Sequence, residues 1–414
     1  MALSFAAVVL LLLLLLSPAC AQLPGANTTD AAIDLIRAIY NKTVDMENEL
    51  LDFWLQFGPD GPIDKPGSFY GEIDENGVGK ENSNKYLQQQ ARHLWTFSTA
   101  YAMRAERRTD EMSADGNPVS PAKKVYENAF AIYGLSAFAM AFKLRFSDLA
   151  EQAETLAMAV YRTLRTEFAE PTHGGYKDTM CGRCKGLDTH LHLLEAFAQL
   201  YVLTGDADVL ASVDELYAIH LDHILAGEYC IEYMNDDWTP ASSNTYGVYG
   251  HCFEVSCLLL DSARLIHREY EGLREALLKV GEYHSKEAYD AERGGFYNTF
   301  VIANPAQKDT TKIWWVQAEA LPGLWNMYVE TGDVEHLRRL LGMVEYIEKY
   351  QRVSETVGEW WEETDETGKV VLDKKRLSHE WKSSYHTSRA LLFLNYWISK
   401  TGVVDLSHPS QRVS

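Results

Sequence analysis

The sequence predicts an all-α protein, and within that class an (α/α)6 barrel, a toroid of six helix pairs with short β-hairpins in its connecting loops. Three observations carry this. Apolar residues recur at three-to-four spacing in segment after segment of the 414-residue chain. The breaks between segments are short Gly-aromatic clusters, with no long linker to divide a second domain. One helix-to-helix junction also occurs twice: Glu195-Ala196 leads to Tyr201-Val202-Leu203-Thr204-Gly205-Asp206, and Glu319-Ala320 leads to Tyr328-Val329-Glu330-Thr331-Gly332-Asp333. In each copy glycine suits the end of one helix and aspartate the start of the next. Helical hairpins repeated in this way suit a closed ring of pairs, with a solenoid as the competing architecture.

The elements follow in order. Ala2 to Leu16 is an apolar run, and Ala19-Cys20-Ala21 offers small residues at a cleavage site, so residues 1–21 read as a signal peptide removed before Gln22. The run is short for a membrane span, and residues 22–414 are expected to form one catalytic domain. Helical periodicity then covers Ala31 to Phe57, Lys85 to Arg107, Lys123 to Lys143, Ser147 to Glu167, Asp188 to Leu203 and Ala207 to Leu225. It resumes over Tyr249 to Arg268, Leu273 to Tyr289, Lys312 to Glu330, Val334 to Tyr350 and Tyr385 to Lys400. Hairpins or shaped loops are expected at Gly71, Gly174-Gly175-Tyr176, Gly294-Gly295-Phe296-Tyr297 and Gly358-Glu359-Trp360-Trp361. Arg107 to Ala122, with Gly116, Pro118 and Pro121, reads as a polar loop.

Composition narrows the function. The formal charge of −21 repels phosphate backbones and anionic lipid, so neither nucleic acid nor a membrane is an expected partner. Hydrophobic residues at 46% exclude a mostly disordered chain. The 10 Trp and 23 Tyr suit helical cores and equally suit stacking against sugar rings. Sequons at Asn27 and Asn41 fit a glycosylated protein of the secretory pathway. Five cysteines remain after Cys20 leaves. Cys181-Gly-Arg-Cys184 lacks the second ligand pair a zinc site needs, so a local disulfide or two thiols is expected. Cys252 and Cys257 read as small buried hydrophobes.

Several helices carry polar or aromatic groups where a core would place Leu. Arg92 and Trp95, and His251 and Glu254, stand at i and i+3; Trp315 and Glu319 stand at i and i+4; Asp188, His192 and Glu195 share one face. Trp381-Lys382 and His386 lie at the mouth of the last helix. A lone helical His or Glu is usually solvated or internally satisfied. Five such sets at the heads of successive inner helices point instead to one polar cavity. His220 and His223, on an outer helix, are expected at the surface. HExxH, GxGxxG, P-loop and GxSxG patterns are absent.

These blocks carry a resemblance. Gln90-Ala91-Arg92 with Trp95, His190-Leu191-His192 with Glu195-Ala196, Tyr249-Gly250-His251 with Glu254, Trp314-Trp315 with Gln317 and Glu319, and Trp381-Lys382 with Tyr385-His386 resemble the signature blocks of the N-acylglucosamine 2-epimerase and cellobiose 2-epimerase family, which includes mannose isomerase-like enzymes. The resemblance implies an (α/α)6 barrel acting at C2 of a reducing-end sugar, without metal or other cofactor. It implies that His386 and His251 are the acid/base pair, that Arg92 holds the developing oxyanion and that Glu254 orients His251. His192 and Glu319 would bind hydroxyls and assist ring opening, and Trp315, Trp95 and Trp381 would face the sugar. Asp188 stands where the family commonly has Asn, Cys257 where cellobiose epimerases usually have Trp, and Cys252 where they often have Asp.

The expectation is therefore a secreted carbohydrate 2-epimerase for N-acylglucosamine, glucose/mannose or a disaccharide. An aldose-ketose isomerase of the mannose isomerase type would use the same site. Two other classes compete: a glycoside hydrolase using Glu254, Glu319 or Asp237, and a catalytically inactive sugar-binding protein. The expected partner is a small sugar, with a second copy in a homodimer the one protein partner considered.

Overall fold

The computed structural model describes residues 22–24, 28–60, 68–80, 83–104, 125–177, 185–354 and 357–404. The signal peptide, the Asn27 sequon, Cys181, Cys184 and the polar loop expected before Ala122 lie outside the described residues. Among the described residues are eleven α-helices: α1 (Asp30–Phe57), α2 (Leu87–Arg104), α3 (Val125–Phe142), α4 (Ser147–Thr163), α5 (Leu187–Thr204), α6 (Ala207–Ile219), α7 (Tyr249–Leu265), α8 (Leu273–Glu287), α9 (Trp314–Thr331), α10 (Val334–Tyr346) and α11 (Ser384–Lys400). They match the expected segments to within a few residues at each end.

Burial separates two kinds of helix. In α4 only Ala150, Ala153, Ala157 and Tyr161 are buried, one stripe along one face. By contrast α5 is buried at Leu187 and continuously from Thr189 to Leu200, α9 from Val316 to Tyr328, and α11 from Ser384 to Asn395. Helices buried all round must be covered by other helices, which is the inner-and-outer pairing that the repeat implies.

The repeated junctions are built as expected. Gly205 and Gly332 end α5 and α9 at φ +67 and +73, in the left-handed region. Asp206 then caps α6 by accepting from the Asp208 and Val209 amides, and Asp333 caps α10 by accepting from Glu335. Short antiparallel ladders occupy the loops: Lys185–Gly186 pairs with Tyr233–Met234, Lys312–Ile313 with Glu363–Thr364, and Thr299–Val301 with Asn304–Asp309.

Three outer helices do not finish as α-helix, as their periodicity had suggested. Leu164–Phe168, His220–Ile224 and Ile347–Gln351 are π-helical turns, each closed by an amide bonding back five residues, as Ala169 N does to the Leu164 carbonyl. The wider turn redirects the chain toward the loop without abandoning its hydrogen bonds. It also corrects one expectation. His220 is fully buried, with Nδ1 donating to the Leu216 carbonyl at 2.7 Å, and burial pushes its pKa down to about 3. His223 is half-buried and stacks on Trp238, centroids 5.1 Å apart.

The described residues fall into two compact units. One takes those of Tyr86–Gly247 and Leu258–Leu277, where α2, α3, α4, α5 and α6 pack in succession. The other takes those of Pro18–Lys85, Val248–Cys257 and Leu278–Ser414, where α9 packs on α10 and α11, and α1 packs on both α10 and α11.

Candidate active site

The first unit gathers Arg92 and His192 around two rings of α3. Arg92, 1% exposed, donates from Nη2 to the Tyr126 hydroxyl at 2.7 Å, and its guanidinium lies 4.2 Å from the Phe130 centroid. His192 packs on the same rings, 4.6 Å from Phe130 and 5.3 Å from Tyr126, and bonds through Nδ1 to Glu195 Oε1 at 2.6 Å. That carboxylate fixes the imidazole's orientation and favours a proton on Nδ1. Asp188 is half-buried in the first turn of α5, where Oδ1 accepts from the Thr189 amide. Trp95 is 1% exposed and stacked on Tyr133 at 5.1 Å, so its indole is packing in this structure. Tyr126 is a site residue that sequence reasoning missed. Its i, i+4 relation to Phe130 was visible, but nothing local links it to Arg92, 34 residues earlier.

The second unit brings together residues from the heads of α7, α9 and α11. His386 Nδ1 lies 2.7 Å from Glu319 Oε1 and 4.0 Å from Glu254 Oε1. The rings of His251 and His386 both pack against Trp315, with centroids 4.9 and 5.9 Å from the indole. Gly250 permits this approach, because a Cβ there would come within 2.4 Å of the Trp315 ring. Arg389, which sequence reasoning also missed, donates from Nη2 to Glu254 Oε1 at 2.8 Å and to Glu319 Oε2 at 2.6 Å. It lies three residues beyond His386 on a helical face, a spacing that could have drawn attention to it.

The same cluster answers a question about metals. Glu254, Glu319 and His386 offer ligand atoms within 4.8 Å of one another, a spacing that a cation could use. The cation that occupies the two carboxylates is the Arg389 guanidinium. A pair of carboxylates tied to one guanidinium is also unlike the opposed, separated pair of a glycosidase. Asp237, the third carboxylate considered for hydrolysis, is exposed and serves a turn, accepting from the Thr239 amide and hydroxyl.

The approach to α11 is braced by buried charge. Lys382 and Glu359 are both fully buried and meet at 2.7 Å, and the Trp54 indole also donates to Glu359. Trp381 is half-buried, its amide donating to His379 Nδ1. Cys252 and Cys257 are buried, as expected, with Asn326 Nδ2 3.5 Å from Cys257 Sγ.

The family model described as N-acylglucosamine 2-epimerase (GlcNAc 2-epimerase) matches residues 109–390. The chain belongs to the N-acylglucosamine 2-epimerase family. Within that family it is similar to the cellobiose 2-epimerase of Bacteroides fragilis, with 25% identity over 391 residues that cover 84% of this chain and 96% of the relative. Its fold is similar to that of the cellobiose 2-epimerase from Spirochaeta thermophila, with a TM-score of 0.74, 28% identity and coverage of 88% of this chain and 97% of that one. A D-mannose isomerase shares the fold at a TM-score of 0.69 and 20% identity, covering 92% of this chain and 100% of that one. The fold class is thus the (α/α)6 barrel expected from the sequence, and the expectation of an enzyme of the sugar epimerase or isomerase class is met at the level of the family. No helix among the described residues is long and apolar enough to cross a membrane.

Proposed function

We propose that this protein is a secreted carbohydrate 2-epimerase acting at C2 of a reducing-end sugar, whether an N-acylglucosamine, glucose/mannose or a disaccharide. The observation that carries the reading is the pair His251 and His386 packed against one indole, with His386 bonded to Glu319. The proton on C2 becomes acidic only beside the aldehyde of the opened chain. One imidazole takes that proton, the C–H electron pair moves toward C1, and the carbonyl oxygen becomes the enediolate oxyanion. The other imidazole returns a proton to C2 with inverted configuration. Glu319, by accepting from His386 Nδ1, leaves Nε2 as the atom that exchanges a proton with the sugar. By family resemblance Arg92 would stabilise the oxyanion, and His192 would bind a hydroxyl. If the proton returns to C1 instead, the same residues perform aldose-ketose isomerisation, the second reading supported by the mannose isomerase fold.

Proton NMR in heavy water with mannose, glucose, cellobiose and N-acetylglucosamine tests both readings. Loss of the C2 proton signal with appearance of the C2 epimer supports epimerisation, and a ketose product supports isomerisation. Binding without exchange marks a sugar-binding protein, new reducing ends mark a hydrolase, and either outcome overturns the proposal. His386→Asn and His251→Asn are each expected to slow exchange by at least ~100-fold, the usual weight of an acid/base group. Secretion is tested by expression in a eukaryotic secretory host, where a mature N-terminus at Gln22 and a glycan on Asn41, exposed on α1, are expected.

A further inference from the structure

We infer that Trp238 is a positioning residue of this site, whose indole clamps the chain leading into α5 and the first turn of that helix, and through them sets where His192 meets a sugar. The inference rests on the functional reading above where it gives His192 a sugar hydroxyl to bind.

The backbone marks Trp238 first. Three hairpin turns of this chain share one hydrogen-bond pattern, in which the fourth residue donates to the first and the first donates to the fifth. In the turn 74–77 the Gly77 amide donates to the Asp74 carbonyl, and the Asp74 amide to that of Val78. The turn 365–368 repeats this with Gly368, Asp365 and Lys369, and the turn 235–238 with Trp238, Asn235 and Thr239. The fourth residue lies in the left-handed region each time, with φ +79 at Gly77, +86 at Gly368 and +67 at Trp238. Glycine adopts that conformation without penalty, whereas the Cβ of a bulky residue crowds its own backbone there. Such strain persists only where the surroundings over-determine it, and it gathers at functional sites.

What holds Trp238 is the approach to α5. Its Nε1 donates to the His173 carbonyl at 2.8 Å. The Lys185 ammonium lies 4.0 Å from the indole and bonds the Gly174 and Asp236 carbonyls, one from each of the two loops that meet there. His190, in the first turn of α5, packs on the indole at a steep angle with centroids 5.1 Å apart, and it also takes the Tyr176 amide and the Gly186 carbonyl. Gly175 leaves the room that the indole fills, because a Cβ there would come within 2.6 Å of the Trp238 ring and 2.8 Å of His190 Nε2. The indole is thus the surface against which residues 173–176, Lys185 and His190 are set. His192 follows His190 by two residues, about 200° round the helix, and packs on the Phe130 and Tyr126 rings. Without the indole, Lys185 and His190 lose the surface that sets them. The first turn of α5 can then shift, and His192 shifts with it.

The test compares the parent protein with Trp238→Gly and Trp238→Phe, using whichever sugar the parent turns over. Glycine gives the turn the residue that its two counterparts use, so a tryptophan needed only for the turn would be replaced without loss. In Trp238→Gly, KM is instead expected to rise by about 10-fold or more while kcat stays within about 3-fold, the pattern of a displaced binding group beside intact acid/base groups. The second readout is 1H–13C NMR of the His192 ring, assigned by its loss in His192→Gln, whose shifts report how the imidazole lies against Phe130 and Tyr126. Those signals should move in Trp238→Gly and return part-way in Trp238→Phe, and KM should follow them. Parent-like KM and parent-like His192 signals in Trp238→Gly would overturn the inference, as would a raised KM with unmoved His192 signals. So would lost activity that only matches lost folded protein, with KM and the His192 signals of the remainder unchanged. If Trp238→Gly does not fold, Trp238→Phe decides: a His192 shift with raised KM supports the role, and parent-like values refute it. If the parent exchanges no sugar, the functional reading fails, and the His192 signals alone then judge Trp238.

Discussion

Three buried lysines stand at the entrances to inner helices, and each is held by at least one group from the loop before it. Lys312 meets Asp290 at 2.8 Å and the Gly294 carbonyl at 2.7 Å, and Lys382 meets Glu359 at 2.7 Å. Lys185 bonds two carbonyls, those of Gly174 and Asp236, with Glu170 farther off at 3.8 Å. Burial lowers the pKa of all three ammonium groups, and the nearby carboxylates work against that shift. Removing one member of such a pair strands the other in a dry interior. Lys382→Met is expected to cost about 3–5 kcal/mol, because Glu359 would be left buried without its counter-charge. The double variant Lys382→Met/Glu359→Gln should recover part of that loss. Urea denaturation measures both, and a single variant within about 1 kcal/mol of the parent would refute the assignment. Lys312 and Lys382 were visible as members of sequence blocks. Their partners, 22 and 23 residues earlier, were not, since charge pairing across a loop leaves no periodic trace. The same holds for Arg389, which meets Glu319 and Glu254 from 70 and 135 residues away.

The inner helices show one structural task solved by two residue types. In α5, His190 Nδ1 donates to the Gly186 carbonyl at 2.7 Å, and Nε2 accepts from the Tyr176 amide at 3.0 Å. In α9, Gln317 Oε1 accepts from the Phe296 amide at 2.8 Å, and Nε2 donates to the Phe296 and Ile313 carbonyls. Each residue ties the loop aromatic that follows a Gly-Gly turn to the helix head. Helix positions, the Thr-Gly-Asp junctions and the Gly-aromatic loops were legible because each reflects a local rule of periodicity or backbone conformation. The π-helical endings and this tie were not, because the wide turns and the loop aromatic's partner depend on packing between distant segments. His190 is buried, and desolvation lowers its pKa to about 4, with the Lys185 charge acting in the same direction. A histidine that stays neutral when folded but takes a proton when unfolded stabilises the protein fully above its unfolded pKa of about 6.5. That contribution is lost as pH falls from there toward 4. His190→Gln should fold, as Gln317 shows that an amide fits the task, and should weaken the acid dependence of stability by about 1 kcal/mol per pH unit. Denaturation curves between about pH 7 and 4.5 measure this, and an unchanged slope would refute it.

The formal charge of −21 makes the whole molecule an acid-rich one, yet the groups that govern its first response to acid are histidines. Burial lowers His93 to about 3, with the Arg92 charge adding to the effect, His190 to about 4 and His220 to about 3. All three belong to the unit built on Tyr86–Gly247 and Leu258–Leu277. In the other unit burial also lowers His336 and His379, but Glu282 and Glu362 oppose the shift. Carboxylates whose pKa is depressed on folding withdraw their stabilisation only below about pH 4.5, where the unfolded chain begins to bind protons at those groups. The window from about 6.5 down to 4.5 is thus left to the histidines, and three of them together give a slope of about 4 kcal/mol per pH unit at its steepest. Acid should therefore open the first unit before the second, even though both carry the same helical architecture. Hydrogen exchange read by mass spectrometry at stepped pH, corrected for the intrinsic pH dependence of exchange, would show α2, α5 and α6 losing protection before α9 and α11. Loss of protection in α9 and α11 first, or in all five helices at one pH, would overturn this assignment of the acid response to His93, His190 and His220.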